Sequence, residues 1–199
     1  MATDSEIIQA VLHGATDRYA ELVDRYQGAT IKLAYGFVGN YEDARELSQN
    51  GFVNAYQHLR QFRGQSKFST WLYRIVVNEC KDFLRHKARK AGVVSLSADP
   101  DDEAGGTFEV ADPGGGPGEE LANRELATQL TQAIEQLPMK QRTAFVLHHV
   151  EGLTLEEVAQ VMDCRVGTVK AHVFRAAERL RELLKPLLSH LDVRNEVRR

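Results

Sequence analysis

Apolar residues recur at spacings of three and four along most of the chain, and the pattern vanishes only between residues 92 and 118. Thr3 and Glu6 have capping-box spacing, and Ile7, Ile8, Val11 and Leu12 share one face, which predicts a short helix that Gly14 ends. Tyr19, Leu22, Val23 and Tyr26, followed by Ile31, Leu33, Ala34, Phe37 and Val38, predict a longer helix as far as Gly39-Asn40. Gly28 and Gly36 are the places where it would bend or break. A third helix starts at Asn40 or Tyr41 with Ala44, Leu47, Phe52, Ala55, Tyr56 and Leu59 at core spacing; its other face carries Glu42, Asp43, Arg45, Glu46, Gln49 and Asn50. After a loop at residues 62–68, Ser66 or Ser69 caps a fourth helix whose apolar side is Trp71, Leu72, Ile75, Val76, Cys80, Phe83 and Leu84. Periodicity resumes with Leu121, Leu126, Leu130, Ala133, Ile134 and Leu137. Pro138 then marks a helix over 139–150, with Ala144, Phe145, Leu147 and Val150, before Gly152.

The most informative stretch is residues 153–184. Thr154 and Glu157 form a second capping-box pattern, so a helix begins there and buries Leu155, Val158, Ala159 and Met162. Asp163 and Cys164 interrupt it. Val169, Val173, Ala176, Ala177, Leu180 and Leu184 then define another helix, with Gly167 and Thr168 at its start. At about 100° per residue, taking Val169 as zero, these apolar positions fall between roughly 340° and 80°, whereas Ala171, Phe174, Arg175 and Glu178 fall between roughly 140° and 240°. Phe174 therefore points away from the core. Two short helices joined by a tight turn, the second presenting small, aromatic and basic side chains outward, lay a recognition helix in the DNA major groove. Lys170, Arg175 and Arg179 reach phosphates or guanine edges, and Phe174 lies against a thymine methyl. Arg165, Thr168 and Ala171 complete the candidate duplex-binding set.

The expected fold class is all-α: two small helical domains joined by a flexible acidic linker. The boundaries are 1–90 for the first domain, 91–120 for the linker, 121–186 for the helix-turn-helix domain and 187–199 for a polar tail. Pro186 is expected to limit the last helix. The linker holds seven of the fifteen glycines and three of the five prolines. Within it, Val93-Val94-Ser95-Leu96 is the one stretch expected to have local order.

Charge sharpens this picture. The formal net charge of -3 argues against a nucleic-acid partner until its distribution is read. Residues 60–90 carry nine Lys/Arg against Glu79 and Asp82 alone, and residues 91–120 carry eight acids and no base. The basic segment interleaves cations with rings: Arg63, Phe68, Trp71, Tyr73, Arg74, Lys81 and Arg85. Unpaired bases stack on rings while the backbone needs cations, so this composition suits single-stranded nucleic acid, although Trp71 is read first as a core residue. The run 85–90, RHKARK, extends the cationic track.

No apolar run approaches the about 18 residues a membrane span needs, and MATDSEIIQA carries an acid where a secretory signal starts basic. A cytoplasmic protein with no membrane insertion is expected. Cys80 and Cys164 are read as packed thiols rather than a disulfide or redox pair. The seven histidines have no metal-ligand spacing with cysteines or carboxylates, and His148 and His149 are placed on different helix faces. No metal, cofactor or catalytic residue is expected.

These residues together resemble the bacterial extracytoplasmic-function (ECF, group 4) sigma factors, the promoter-recognition subunits of RNA polymerase. FRGQSKFSTWLYRIVVNECKDFLR at 62–85 resembles the family's promoter -10 recognition segment. LTLEEVAQVMDCRVGTVKAHVFRAAERLREL at 153–183 resembles its -35 segment, and LPMKQRTAFVLHHVEG resembles the helix leading into it. The resemblance implies a sigma-2-like and a sigma-4-like domain. It also implies a polymerase-docking surface for the clamp helices at Asp43, Glu46, Gln49 and Asn50, a further contact with the polymerase flap, and an anti-sigma protein as partner. It assigns the -10 element to Phe62, Arg63, Lys67, Phe68, Trp71, Arg74, Asn78, Lys81 and Arg85, with a flipped base held by the loop at 62–68 and Asn78 beside it. Lys170, Ala171, Phe174 and Arg175 match the -35 reading positions. Relatives usually carry Gln-Asp or Gln-Glu where this chain has Gln49-Asn50, which removes a carboxylate from the docking surface.

The expected function is thus transcription initiation without bond chemistry. The alternative is a stand-alone helix-turn-helix regulator, which leaves the basic, ring-rich segment without a role. A nucleic-acid enzyme would need a phosphate-cradling glycine motif, a two-metal acidic cluster or an activated nucleophile, none of which the sequence offers. An adaptor acting through its helices alone does not explain the cations at 60–90.

Overall fold

A computed structural model describes residues 2–90 and 119–196, with side chains described over 2–90 and 127–185. The elements are helical throughout: α1 (Asp4–Leu12), α2 (Tyr19–Val38), α3 (Tyr41–Gln57), α4 (Phe68–Lys90), α5 (Glu119–Glu135), α6 (Met139–Phe145), α7 (Leu155–Met162) and α8 (Val166–Glu196). Short 3-10 turns at Thr16–Arg18 and Leu59–Gln61 connect the first four, and a π-helical turn at Val146–Val150 follows α6.

Local sequence sets many of the helix ends. The Thr3 hydroxyl accepts from the Glu6 N–H while the Glu6 carboxylate accepts from the Thr3 N–H, closing the capping box of α1. Thr154 and Glu157 do the same for α7. Asn40 caps α3 through the Asp43 N–H. Gly39, with φ 66°, ends α2 in the left-handed conformation.

Other ends are set by tertiary packing. α2 runs unbroken through Gly28 and Gly36, correcting the expected bend. A Cβ on Gly36 would lie 2.8 Å from Val146 Cγ1, so this glycine gives room to a residue from the second half of the chain. Neither Ser66 nor Ser69 caps α4, which begins at Phe68; the Ser66 hydroxyl donates to the Lys67 carbonyl. Gly167 and Thr168 lie inside the first turn of α8, which starts at Val166, and not ahead of it. The backbone of α8 continues through Pro186 to Glu196, past the expected stop. A proline removes one helical N–H bond, but helical backbone before and after it can persist. The expected linker falls largely outside the described residues, as does the local order at 93–96; Glu119 and Glu120 belong to α5.

In the N-terminal unit α2 packs on α3 and α4 over fully buried Leu22, Leu33, Phe37, Leu72 and Val76, with Ile7 of α1 closing one side. Thr30 and Ser48 pair their hydroxyls at 2.7 Å inside the α2–α3 contact. Thr30 also donates to the Tyr26 or Gln27 carbonyl, so its single proton is used there and it accepts from Ser48. Gly51 lets α3 settle directly on Val76 of α4, where a Cβ would come within 2.6 Å of Cγ2. Tyr56, expected in the core, is exposed and meets Tyr19 edge to face at 5.0 Å.

The C-terminal unit gathers α5 to α8 around Ile134, Leu137, Ala144, Leu147, Val158, Val169, Ala176 and Leu180. Arg142, 5 % exposed, donates to the Glu135 carbonyl and, at 3.3 Å, to the Leu137 carbonyl, satisfying the end of α5. Burial pulls its guanidinium down to about 10. The two units touch along two seams. α2 meets α5 and the π turn, and α4 meets α7.

Candidate nucleic-acid interface

The helix-turn-helix is α7, a turn and α8. Asp163 ends α7 in the left-handed region at φ 53°, one of the few non-glycine residues that tolerates it, and its N–H bonds the Ala159 carbonyl. The turn is held from within by the Cys164 N–H on the same carbonyl, and the Thr168 N–H on the Arg165 carbonyl starts α8. Val169, Ala176 and Leu180 are buried. All seven candidate duplex contacts, Arg165, Thr168, Lys170, Ala171, Phe174, Arg175 and Arg179, are exposed. Phe174 is 63 % exposed, an unusual state for a phenyl ring and the one its angle on the helix demands.

The other candidate face lies on the loop before α4 and along that helix. Phe62, Phe68 and Trp71 form a ring cluster with centroids 5.3–5.8 Å apart, and Tyr26 joins it 5.7 Å from Phe68. Phe68 is 2 % exposed. It forms the foundation of the cluster, beneath the rings that keep a side accessible. Phe62 and Trp71 are half-buried and keep one side accessible. Beyond them Trp71, Arg74, Asn78, Lys81 and Arg85 fall within about 80° of the α4 surface, a single stripe of one ring, one amide and three cations. Arg74, Asn78 and Arg85 are exposed, Lys81 half-buried. Arg63 and Lys67 project from the loop at one end of this stripe.

Two of these cations pair with carboxylates of α7, and Arg85 pairs with Asp82 of its own helix. Lys67 Nζ lies 2.7 Å from Glu157 Oε1 of α7, and Arg74 Nη2 lies 3.2 Å from Asp163 Oδ2 at the end of the same helix. The hydrogen bond from Lys67, then that from the Thr154 backbone, holds the Glu157 carboxyl below its usual value. The sequence reading missed both carboxylates as partners. Local spacing marked Glu157 as a cap, but nothing local signals a lysine ninety residues away in sequence.

The third surface is the outer face of α3. Glu46, Gln49 and Asn50 are exposed and Asp43 half-buried. Val53, 50 % exposed, continues the same face and is a further candidate for protein contact that polarity alone does not select. Cys80 is buried in the core of the N-terminal unit, which pushes its thiol up to about 12, while burial raises the half-buried Cys164 as well; both are protonated, packed thiols. His148 and His149, neighbours on the π turn, meet edge to face with ring centroids 4.7 Å apart. Among the described residues, no helix is long and apolar enough to cross a membrane.

Two family models match the chain: Sigma-70 region 2 over residues 22–90 and Sigma-70 region 4 over residues 127–180. The RNA polymerase sigma-H factor of Pseudomonas aeruginosa is 35% identical over 185 residues, covering 93% of this chain and 95% of that protein. The ECF RNA polymerase sigma-E factor of Haemophilus influenzae is 34% identical over 188 residues, covering 94% and 97%. Among solved structures, the Bartonella quintana sigma factor RpoE, in complex with the anti-sigma factor NepR, matches with a TM-score of 0.61 and 24% identity over 84% of this chain and 96% of that one. CnrH, in complex with the cytosolic domain of CnrY, matches with a TM-score of 0.67 and 23% identity over 92% and 97%.

Proposed function

The chain belongs to the ECF sigma factors of bacterial RNA polymerase, and from that premise we propose how its surfaces divide the work of transcription initiation. It binds core polymerase and promoter DNA as a non-enzymatic initiation factor. Residues 1–90 act as the sigma-2 unit, 121–186 as the sigma-4 unit and 91–120 as the linker between them. The exposed face of α8 reads the -35 duplex: Lys170, Arg175 and Arg179 through phosphates and guanine edges, Phe174 through a thymine methyl, with Arg165 and Thr168 anchoring the backbone. Each good bidentate base contact discriminates by about 1–3 kcal/mol.

The α4 stripe takes the non-template strand of the opened -10 element. Extruding a base costs a few kcal/mol of stacking, and Phe62 and Trp71 offset it by receiving the base while Arg63, Lys67, Arg74, Lys81 and Arg85 follow the phosphates. Asn78 is placed on the same stripe to hydrogen-bond the base. Phe68 supports the two receiving rings from beneath. The outer face of α3, with Asp43, Glu46, Gln49, Asn50 and Val53, docks on the polymerase clamp helices, and the sigma-4 unit meets the flap. Acting on polymerase, the protein works in the cytoplasm. Its fold is shared with the sigma factor RpoE of Bartonella quintana, caught in complex with an anti-sigma factor, so a protein inhibitor of that kind is the expected negative partner.

The observation that carries this reading is the coexistence of two outward faces, one suited to duplex and one to single strand, on separate helical units. A stand-alone regulator would use the first and leave the second idle. In vitro transcription with core polymerase, with transcript 5′ ends sequenced, tests it: new start sites are expected only when this chain is added, and unchanged start sites refute the reading.

A further inference from the structure

A line of contacts runs from the two receiving rings back to the start of the chain. Phe62 and Trp71 both rest on Phe68, with centroids 5.8 Å from it in each case. Phe68 in turn meets Tyr26 of α2, the rings tilted by 53° and 5.7 Å apart. Tyr26 is half-buried, and its hydroxyl donates to Asp4 Oδ2 at 2.5 Å. Asp4 lies in the first turn of α1. Its other carboxylate oxygen accepts from Arg25 Nη1, while Arg25 Nη2 donates to the Ala2 carbonyl. Both oxygens of one carboxylate are therefore used, and α1 is tied to two adjacent residues of α2.

The two kinds of contact restrain a ring differently. Aromatic pairs tolerate a range of offsets and tilts, with centroids about 4.5–7 Å apart, so packing alone leaves a stack of rings free to slide. A hydroxyl bonded to a carboxylate is short and directional. Fixing Tyr26 at its hydroxyl selects one of the permitted stackings, and the rings resting on one another follow. Burial first, and then the bond to Asp4, push the phenol up to about 12, so it stays a donor at neutral pH. Closing the core requires neither group: α1 does that with Ile7, Ile8 and Val11.

We propose that Asp4 and Tyr26 are positioning residues of the strand-receiving site: the α1 carboxylate holds the Tyr26 ring, which sets the tilt of Phe68 and through it the faces that Phe62 and Trp71 offer to an unpaired base. The proposal rests on reading Phe62 and Trp71 as the rings that take that base. On this account α1 takes part in strand capture without touching DNA.

Trp71 is the one tryptophan of the chain, so its emission reports on the cluster directly. Tyr26→Phe keeps the ring and loses the donor; Asp4→Ala loses the acceptor. In the full chain each should shift Trp71 emission to the red and increase its quenching by acrylamide. Asp4→Asn, whose amide oxygen still accepts from the phenol, should keep the wild-type emission. Polymerase carrying Tyr26→Phe or Asp4→Ala should open the duplex promoter mapped with the wild-type chain about two- to tenfold more slowly, the size of one displaced aromatic contact. The loss should be smaller on a template already melted at the -10 element, and affinity for core polymerase should stay at the wild-type value. Combining the two substitutions should slow opening no further than the slower single variant, because both break one bond.

Wild-type emission in Tyr26→Phe, altered emission with wild-type opening, additive losses in the double variant, or equal losses in Asp4→Asn and Asp4→Ala each overturn the proposal. If the wild-type chain redirects polymerase and Tyr26→Phe matches it in every readout, the functional reading stands and the positioning role falls. If the wild-type chain does not redirect polymerase, the functional reading fails and the positioning role fails with it.

Discussion

Arg175 sits on the exposed face of α8, one residue beyond Phe174 and turned away from the buried Val169 and Ala176. Its guanidinium has freedom to form the paired hydrogen bonds that distinguish guanine in the major groove, and no part of the hydrophobic core depends on it. Arg175→Ala should lower initiation from the native promoter by about tenfold or more, the equivalent of one lost bidentate contact. Affinity for core polymerase, measured by competition for it against the wild-type chain, should be unchanged. Loss of both would mark a structural residue. Asn50 is the counter-case. It puts an uncharged amide on the outer face of α3, where the carboxylates are those of Glu42, Asp43 and Glu46, and the exposed Val53 offers apolar area beside them.

At the scale of elements, what the sequence made legible was what neighbours along the chain decide. The two capping boxes, the Asn40 cap, the Gly39 stop and the outward angle of Phe174 all follow from contacts within one or two turns, and the structure has each of them. The departures come from distant partners. Phe68 is buried because Tyr26, Phe62 and Trp71 surround it. Tyr56 leaves the core for a ring contact with Tyr19. α2 stays whole at Gly36 because Val146 packs where a side chain would be. The candidate DNA residues could be read off a helical wheel, whereas the carboxylates that hold two of them could not.

The contact of α2 with the π turn also sets a pH dependence. Glu151 follows that turn with its side chain 4 % exposed, one carboxylate oxygen unbonded and Lys32 Nζ 3.9 Å away. Burial raises its pKa above the ordinary 4.5, and Lys32 only partly opposes this. A carboxyl whose folded pKa is raised favours folding most in its protonated form. Its contribution is complete below about 4.5 and is lost as pH rises through the raised value. Glu151→Gln, which cannot ionise, should therefore melt about 2–4 °C higher than wild type near neutral pH, the equivalent of about 1 kcal/mol. The gap should close on acidification. Glu157 acts in the opposite sense: with its pKa lowered by Lys67, its contribution is present above the ordinary value and disappears as pH falls through the lowered one. A gap that stays constant with pH would show that Glu151 is not the titrating group.

Viewed as a whole molecule, the chain hides a division of charge behind a net value of -3. The face proposed for the -35 duplex presents exposed cations, and the face proposed for the -10 strand presents cations that are partly paired. Unstacking bases from a closed duplex costs a few kcal/mol, which the proposed function assigns to both units held together by polymerase. The free chain should accordingly bind a duplex promoter fragment at least about 100-fold more weakly than the polymerase complex does, and bind it less tightly as salt rises. Equal affinity with and without polymerase would return the molecule to the class of independent regulators.

Gly51 adds a mechanical consequence. With nothing but hydrogen between the α3 backbone and Val76, the helix proposed to meet polymerase and the helix proposed to meet the melted strand have no α3 side chain between them at this point. On that reading a shift of α3 is passed to α4 as displacement, so anchoring the outer surface of α3 also fixes where the emerging bases arrive.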